Sequence, residues 1–190
     1  LSTSVIVNIS TDQIGNLSTS QLRTLTTAQF KALSRDQLSN LSIEQFTNLT
    51  SSEMSALNSA QILAFDADHI SALNSAQIQS LNTSAIRNLG SDQIAALSPA
   101  QVTALTSAQV KAMTSDQINA LDPDKLQAIE AGDIFALSTS VIASISTDQI
   151  GNLSTAQLRA LSTAQFKTLS QDQLKNLSIY KTLFSCGKFL

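Results

Sequence analysis

The sequence predicts an all-α fold, a superhelical α-solenoid of very short capped helices of about six residues, one per eight-residue repeat. Three observations predict it. A large apolar residue recurs at every eighth position from Leu1 to Leu177 without a break. Helix-capping residues recur at a fixed distance from that apolar column. The only two prolines of the chain share one position of the repeat.

Two apolar columns define the repeat, and we number its positions from the first of them. Position 1 is large and apolar in every octad, as at Leu33, Phe65 and Met113. Position 6 forms the second column, which begins with Ile6 and Ile14 and continues without exception to residue 174. Apolar side chains at a fixed spacing mark the buried face of a repeated element. Both columns are therefore the candidate core.

Position 2 carries helix-capping side chains. It is Ser, Thr, Asn or Asp almost throughout, with Gly90 and Glu130 as departures, and these four side chains accept hydrogen bonds from free N–H groups of a helix. Position 5 is mostly Gln, as at Gln101, which completes a capping box. Positions 1 and 6 then form a hydrophobic staple. These signals agree that a helix begins at position 3 of every octad.

Prolines and charges support the same register. Pro99 and Pro123 both fall at position 3, the first helical residue, where a missing N–H and a fixed φ cost nothing. Aspartates concentrate at position 4, whereas Lys and Arg favour position 7. Each charge therefore lies near the helix end whose dipole has the opposite sign.

Two other structures for the octad are less favoured. A continuous helix would rotate its apolar stripe by roughly 80° per octad, so that no face would stay buried. A β-solenoid also produces columns of Ser, Thr and Asn, but positions 1 and 6 would then face opposite sides of a strand. Positions 4, 5, 7 and 8 are moreover rich in Ala, Gln, Asp, Lys and Asn, which are poor strand formers.

Such short helices need neighbours, because helices below roughly 12 residues are marginal in water on their own. Stacked octads can merge positions 1 and 6 into one continuous core. Small residues at position 8 would allow close approach at each corner. The result is a superhelical array in which each repeat is stabilised by its nearest neighbours.

The octads form one continuous array over residues 1–176. Residues 1–43 return at 137–179 with 35 identities in 43 positions and an offset of 136 residues, which is 17 octads. This indicates duplication of a block. The pattern degenerates over residues 177–190, where the Gln column is lost and the only cysteine, Cys186, appears. We interpret this stretch as a helical cap or as a tail.

Composition argues against several classes of function. The net charge is −3 and only 13% of residues are charged, so the sequence lacks the basic patch of a nucleic-acid-binding protein. No apolar run reaches the roughly 18 residues of a membrane span, and no signal-peptide pattern is present. Because the chain begins at Leu1, we interpret it as a processed product or, more readily, as a segment of a longer protein.

We predict no catalytic, cofactor-binding or metal-binding residues, and therefore no enzyme activity. The only histidine, His69, stands in the Gln column as a capping substitute, and Cys186 lies 117 residues away. Neither therefore offers a nucleophile beside a base. The aspartates of position 4 lack the oxygen-rich turns that bind calcium, and their place at helix starts explains them.

Threonine recurs at position 3 near both ends of the array. A regular ladder of hydroxyl groups is one way to match ordered water or a glycan, so ice or carbohydrate binding is an alternative function. Ala67 and Pro99 interrupt the ladder in the middle of the chain. The threonines are Thr3, Thr11, Thr19, Thr27, Thr139, Thr147, Thr155 and Thr163.

Octads such as LSTAQLRA, LSTAQFKT, LTSAQVKA and LSPAQVTA resemble the short LTTAQ-type repeats of very large bacterial proteins. Those proteins are secreted or cell-surface proteins, often described as adhesin-like or haem-utilisation-like. The resemblance covers residues 1–178 and carries no catalytic or ligand residues. It implies that the protein is secreted or lies at the bacterial cell surface.

We therefore expect a non-enzymatic structural repeat module, an elongated stalk or scaffold segment of a large bacterial surface or secreted protein. The alternative is a binding module that holds a peptide, a glycan or ice in its superhelical groove or on its Ser/Thr ladder. The expected partners are other proteins or further copies of the chain that associate end to end, because terminal repeats without polar caps expose core. If the alternative function holds, a glycan is a further expected partner.

Overall fold

The computed structural model describes residues 2–177, and within that range the chain forms short helices and no strand. The predicted all-α solenoid of short helices is confirmed. The chain divides into two compact units, Leu1–Leu105 (unit 1) and Thr106–Leu190 (unit 2). The predicted cap or tail at 177–190, including Cys186, lies outside the described residues apart from Leu177.

Both units repeat one small element. The helices of unit 1 are α1 Thr3–Asn8, α2 Thr11–Gly15, α3 Thr19–Leu22, α4 Thr27–Lys31, α5 Arg35–Ser39, α6 Ile43–Thr47, α7 Ser51–Ala56, a 3₁₀ helix Ile62–Ala64, α8 Ala67–Ser71, α9 Ser75–Ser80, α10 Thr83–Asn88, α11 Ser91–Ala95 and α12 Pro99–Thr103. Those of unit 2 are α13 Ser107–Ala112, α14 Ser115–Asn119, α15 Pro123–Ala128, α16 Ala131–Ala136, α17 Thr139–Ser144, α18 Thr147–Asn152, α19 Thr155–Ala160, α20 Thr163–Lys167 and α21 Gln171–Asn176.

Each helix begins at the predicted cap. Ser98 is extended, with φ −77° and ψ 159°. Its Oγ accepts a hydrogen bond from the N–H of Gln101 at 3.2 Å, while Gln101 Oε1 accepts one from the N–H of Ser98 at 2.8 Å. Of the described α-helices only α1, α11 and α16 lack a side-chain cap bond. In α11 and α16 the cap positions are Gly90 and Glu130, the two departures seen in the sequence.

The corners between helices are short and extended. Leu137 (ψ 145°) and Ser138 (ψ 153°) both lie in the extended region between α16 and α17. Extended residues cannot continue the i→i−4 hydrogen-bond ladder of a helix, so the chain turns there. Pro99 and Pro123 are the first residues of α12 and α15. Both prolines therefore occupy the helical position that the sequence predicts.

One octad, residues 57–64, departs from the pattern. It forms the 3₁₀ helix where the repeat predicts an α-helix. Asn58 Oδ1 accepts hydrogen bonds from the N–H groups of Ala60 and Gln61, both at 2.9 Å. These bonds close a local turn, which is an alternative to the first turn of an α-helix. Ile62 nevertheless remains fully buried, so the octad keeps its place in the core.

Helices pack against helices three octads away. In unit 1, α2 contacts α5 and α4 contacts α7, and in unit 2, α16 contacts α19 and α18 contacts α21. Hydrogen bonds between successive turns join residues 28 apart, as from Gln101 to Leu73 and from Gln165 to Leu137. One turn of each unit therefore takes about 28 residues, or three and a half octads.

The two apolar columns face opposite neighbours. In the first turn of unit 1, Ile6 and Ile14 of position 6 are fully buried, whereas Leu17 of position 1 is half-buried. In the last described turn of unit 2, Leu169 of position 1 is buried, whereas Phe166 of position 6 is 44% exposed. Position 6 is therefore covered by the following turn and position 1 by the preceding turn. We call the position-6 side of a turn its upper face and the position-1 side its lower face.

Successive turns approach so closely that a Cβ on either of two glycines would crowd a backbone oxygen. A Cβ on Gly15 would lie 2.9 Å from the backbone oxygen of Asn40. The equivalent residue of the duplicated block, Gly151, would place a Cβ 3.1 Å from the oxygen of Asn176. A Cβ on Gly132, by contrast, would meet nothing within 4 Å. The inter-turn spacing thus leaves room for side chains at some helix positions only.

We expect Gly15→Ala to lower the free energy of unfolding by about 1–2 kcal/mol, because the overlap with a backbone atom exceeds the gain from alanine's higher helix preference. Gly132→Ala is the matched control, and we expect it to raise the free energy of unfolding by about 0.5–1 kcal/mol. Urea denaturation followed by circular dichroism measures both. Equal gains in the two variants would contradict the close approach of the turns.

Candidate functional site

The side chains of position 5 lie between turns, and we call them the position-5 column. Gln101 is only 4% exposed. Its Nε2 donates hydrogen bonds to the backbone oxygens of Ile70, Ser71 and Leu73 at 3.0, 3.1 and 2.7 Å. Its Oε1 accepts from the N–H of Ser98. The Gln101 amide oxygen thus caps its own helix, while the amide N–H group bonds to the preceding turn.

The inter-turn donor recurs in both units. The glutamines with such bonds include Gln37, Gln45, Gln61, Gln77, Gln93, Gln101, Gln149, Gln157, Gln165 and Gln173. Each donates to the carbonyl oxygen 28 residues earlier, at the corner that ends a helix. A helix this short leaves most of its C-terminal carbonyl oxygens without a partner in the helix itself. The column satisfies these oxygens and links successive turns within each unit.

The sequence predicted the capping role of this column but not its role between turns. A capping box accepts Glu as readily as Gln, and a carboxylate is favoured near a helix N-terminus. Yet position 5 holds fifteen Gln and a single Glu, Glu53, across 22 octads. The bias against Glu is the signal that an N–H donor is needed here. Capping chemistry alone does not explain it.

His69 replaces glutamine in the column and keeps the contact with the preceding turn, while its contact within the octad is with the side chain of the cap residue. Its Nε2 lies 3.0 Å from the backbone oxygen of Leu41, 28 residues earlier, and its Nδ1 lies 2.7 Å from Oδ1 of Asp66. Its ring also meets the ring of Phe46 edge-on, with centroids 5.4 Å apart. The histidine is therefore a structural link between turns in unit 1.

In the octad of α10, position 2 makes the bond to the preceding turn, because position 5 has no polar group there. Ala85 occupies the column in α10. In the same octad, Asn82 Nδ2 donates to the backbone oxygens of Ser55 and Leu57 at 3.1 and 2.5 Å, while its Oδ1 accepts from the N–H of Ala85 at 2.9 Å. The asparagine thus caps its own helix and bonds to the preceding turn. A glutamine at position 5 is therefore not the only side chain that can link two turns.

In two octads the cap residue is an aspartate whose side chain contacts the side chain of position 5. The hydrogen bond from the His69 side chain lowers the pKa of the Asp66 carboxyl below its usual value. Likewise, the hydrogen bond from the Lys125 side chain, at 2.9 Å, lowers the pKa of Asp122. A carboxyl whose pKa is lower in the folded state stabilises the fold above its unfolded pKa, and this contribution is lost as the pH falls through the folded pKa.

We expect His69→Gln to raise the pKa of Asp66 toward its usual value, because the side-chain hydrogen bond from His69 is lost. Glutamine keeps the bond to the preceding turn but removes the partner that favours the carboxylate. A pH titration of the carboxyl signals by nuclear magnetic resonance measures the change. The pKa of Asp122 serves as an internal control, since Lys125 is untouched and should hold it low. An unchanged pKa for Asp66 would show that His69 is not its main partner.

Glu53 is a buried carboxylate of the column, 3% exposed. Its Oε2 accepts from the N–H and the Oγ1 of Thr50 at 2.7 and 2.8 Å. Its Oε1 is buried and has no hydrogen-bond partner among the residues described. In the register of the column, that oxygen stands where glutamine presents its donor to the preceding turn. A buried acceptor without a partner is destabilising.

We expect Glu53→Gln to raise the free energy of unfolding by about 1–3 kcal/mol, because the amide supplies the missing donor and keeps the capping bond. Urea denaturation measures the gain. Glu44→Gln is the control, since Glu44 lies exposed at position 4 and should change stability by less than about 0.5 kcal/mol. A lower free energy of unfolding in Glu53→Gln would mean that the Glu53 carboxylate makes a favourable contact with the preceding turn.

The described residues assemble little else that resembles a reactive site. Within residues 2–177, no group of three or more His, Cys, Asp or Glu side chains lies close enough together to hold a metal ion. Asp92 and Asp148, two aspartates of position 4, are exposed at helix starts. No helix in this range is long and apolar enough to cross a membrane. The most constrained polar chemistry of the described chain is the position-5 column.

A sequence model described as the ALTTAQ repeat matches residues 14–51, 70–107, 126–157 and 150–179. These matches cover 130 of the 190 residues. Every match begins at position 6 of an octad, and the first three begin 56 residues apart. That distance is seven octads, or two turns of 28 residues. No curated protein matches the chain.

Proposed function

Because the chain belongs to the ALTTAQ repeat family, we propose that it is a non-enzymatic structural repeat module. In this proposal it forms an elongated stalk or scaffold segment of a large bacterial surface or secreted protein. The observation that supports it best is the constant spacing of 28 residues between hydrogen-bonded turns in both units. When turns stack at a constant spacing, the length of the array grows in proportion to the number of octads.

The use of buried polar groups also supports a structural role. In a binding module, buried polar side chains converge on a ligand. Here the buried glutamines of the column, such as Gln101 and Gln165, donate their side-chain N–H groups to backbone oxygens of the preceding turn. The acceptors are main-chain oxygens, and every octad has these oxygens regardless of which side chains it carries. Octads can therefore be added or lost without the loss of a specific site.

The extracellular part of the proposal rests on the resemblance of the octads to repeats of large bacterial secreted and surface proteins. The array through Leu177 contains no cysteine. Its stability is therefore independent of the redox state of the compartment in which it works. Such an array can fold outside the cell without forming a disulfide.

Small-angle X-ray scattering of the full chain and of a variant that lacks residues 33–88 tests the proposal. The deletion removes seven whole octads, which are two turns of unit 1. A stalk should show a radius of gyration above the roughly 16 Å of a compact chain of this length. The deletion should shorten the longest dimension and leave the cross-section unchanged. A compact particle for the full chain would contradict the stalk.

A second candidate is binding of a glycan or of ice. Thr27, Thr139 and Thr163 of the position-3 ladder are exposed. Unit 1 also has an open cleft of about 570 Å³ whose lining includes Lys31, Asn58 and other hydroxyl and amide side chains. Glycan-array screening and an assay of ice recrystallisation test this function. A negative result in both would leave the structural role as the better account.

A further inference from the structure

Asparagine recurs at position 8, where helices end, and it often opens a motif for covalent modification. Asn40, Leu41 and Ser42 form the triplet Asn-x-Ser/Thr. This triplet is the acceptor motif for N-linked sugars on surface segments of secreted proteins. Position 8 carries the same triplet elsewhere in the array, as at Asn48 and Asn152. The structure around each asparagine decides whether a sugar can be carried there.

Asn40 is exposed although turns pack on both sides of its octad. Helix α5, which ends at Ser39, contacts α2 before it and the 3₁₀ helix after it, so this exposure does not depend on an end of the array. The Nδ2 of Asn40 donates to the backbone oxygen of Asp36 at 2.9 Å and to no other described residue. A side-chain amide has two N–H hydrogens, and a sugar replaces one of them. Asn40 can therefore carry a sugar and keep its bond to Asp36.

The hydroxyl group of the triplet is accessible as well. Ser42 is exposed, and its Oγ accepts from the N–H of Gln45 at 3.1 Å. Its hydroxyl hydrogen is donated to none of the described residues. Leu41, between the two polar residues, is 2% exposed and holds the corner in the core. A transferase thus meets both polar groups of the triplet on the surface of the folded chain.

Asn82 opens the same triplet with Thr83 and Ser84, but its amide lies between turns. Asn82 is half-buried, and its Nδ2 donates to the backbone oxygens of Ser55 and Leu57 at 3.1 and 2.5 Å. Two carbonyl oxygens at these distances leave no room for a sugar on Nδ2. A glycosylated Asn82 therefore could not keep the contact between these turns.

Asn88 has the accessible amide but lacks the motif. It is exposed, and its Nδ2 donates to the backbone oxygen of Ser84 at 2.8 Å, the same arrangement as at Asn40. Gly90 stands two residues later, where the triplet requires a hydroxyl group. A Cβ on Gly90 would lie 3.7 Å from Oε1 of Gln93, which is an ordinary contact. A serine therefore fits at residue 90.

We propose that Asn40 is a site of N-linked glycosylation and that Asn82 and Asn88 are not. The donor is a sugar activated on a nucleoside diphosphate or on a lipid diphosphate. A glycosyltransferase joins Nδ2 of Asn40 to the anomeric carbon of that sugar. The bond from this carbon to the phosphate oxygen breaks, the phosphate leaves with the electron pair, and Nδ2 loses one proton. The inference rests on the extracellular setting of the proposed function and not on the elongated shape.

Tandem mass spectrometry of the folded protein, isolated from the cells that produce it, tests the site with a fragmentation method that keeps a sugar on its residue. We expect a sugar on Asn40 and none on Asn82 or Asn88. The added mass identifies the donor, since a nucleoside diphosphate delivers single sugars and a lipid diphosphate delivers a preassembled oligosaccharide. An unmodified Asn40, or a sugar on Asn82, would overturn the proposal. An unmodified Asn40 in a protein that scattering shows to be elongated would overturn this inference and leave the stalk intact.

Variants made in the same cells separate the motif from exposure alone. Ser42→Ala should abolish the sugar on Asn40 although Asn40 itself is unchanged, whereas Ser42→Thr keeps the hydroxyl group and the helix cap and should keep the sugar. Gly90→Ser supplies the missing hydroxyl group and should place a sugar on Asn88. A sugar that stays on Asn40 in Ser42→Ala, or an Asn88 that stays unmodified in Gly90→Ser, would overturn the proposal.

Discussion

Gln101→Glu is expected to lower the free energy of unfolding by about 3–5 kcal/mol. The substitution keeps an oxygen that can accept from Ser98, so the helix cap survives. It removes the Nε2 donor that reaches Ile70, Ser71 and Leu73. A carboxylate oxygen would then face these carbonyl oxygens in a site that is 4% exposed. The loss combines unsatisfied acceptors with a buried charge that has no partner.

The same substitution at Gln21 is the matched control. Gln21 makes the same capping bond to Ser18 but is exposed, with no turn below it in unit 1. We expect Gln21→Glu to change the free energy of unfolding by less than about 0.5 kcal/mol, since Glu also completes a capping box. Urea denaturation of dilute protein measures both variants. Similar effects at the two sites would mean that capping, and not the bond between turns, is the main role of the column.

Phe46→Ala is the second variant with a large expected effect, a loss of about 3–5 kcal/mol in the free energy of unfolding. Phe46 is fully buried in α6. Its ring centroid lies 4.0 Å from that of Phe65 and 5.4 Å from that of His69. Truncation leaves a cavity between two turns and removes both ring contacts. Thermal and urea denaturation followed by circular dichroism measure the loss.

The loss should also be local, because each octad of an array is stabilised by its neighbours. Helix α6 contacts α3 and α8, so amide hydrogen exchange should accelerate in these three helices and stay slow in unit 2. Phe135→Ala is the control, since its side chain is 59% exposed and should contribute less than about 0.5 kcal/mol. Uniform acceleration along the whole chain would show that the array unfolds as one cooperative body.

Local features of the fold were predictable because they depend on residues within one octad. A cap joins positions 2 and 5, three residues apart, and the hydrogen bonds of Ser98 and Gln101 follow from that spacing alone. The prolines begin helices for the same local reason. The 3₁₀ helix of residues 57–64 was not predictable in this way. Asn74 caps an α-helix with the same side chain as Asn58, so the local pattern does not distinguish them.

The candidate site was predicted only in part. Gln101 was placed correctly as a capping residue, and its bonds to the preceding turn were missed. Those bonds join residues 28 apart, and no pattern within an octad contains that distance. Asn82 shows why substitutions in the column were also difficult to interpret. Its replacement of glutamine depends on where the oxygens of Ser55 and Leu57 lie in space.

By itself, the sequence determined the helical octad, its caps, its two apolar columns and the duplication of residues 1–43. These features follow from hydrogen bonds and side-chain directions over a few residues, which capping chemistry and helix geometry dictate. Only the tertiary structure decided that a turn takes about 28 residues, that position 6 faces the following turn, and that the glutamine donors link successive turns. These depend on the angle at each extended corner. Packing of whole turns sets that angle.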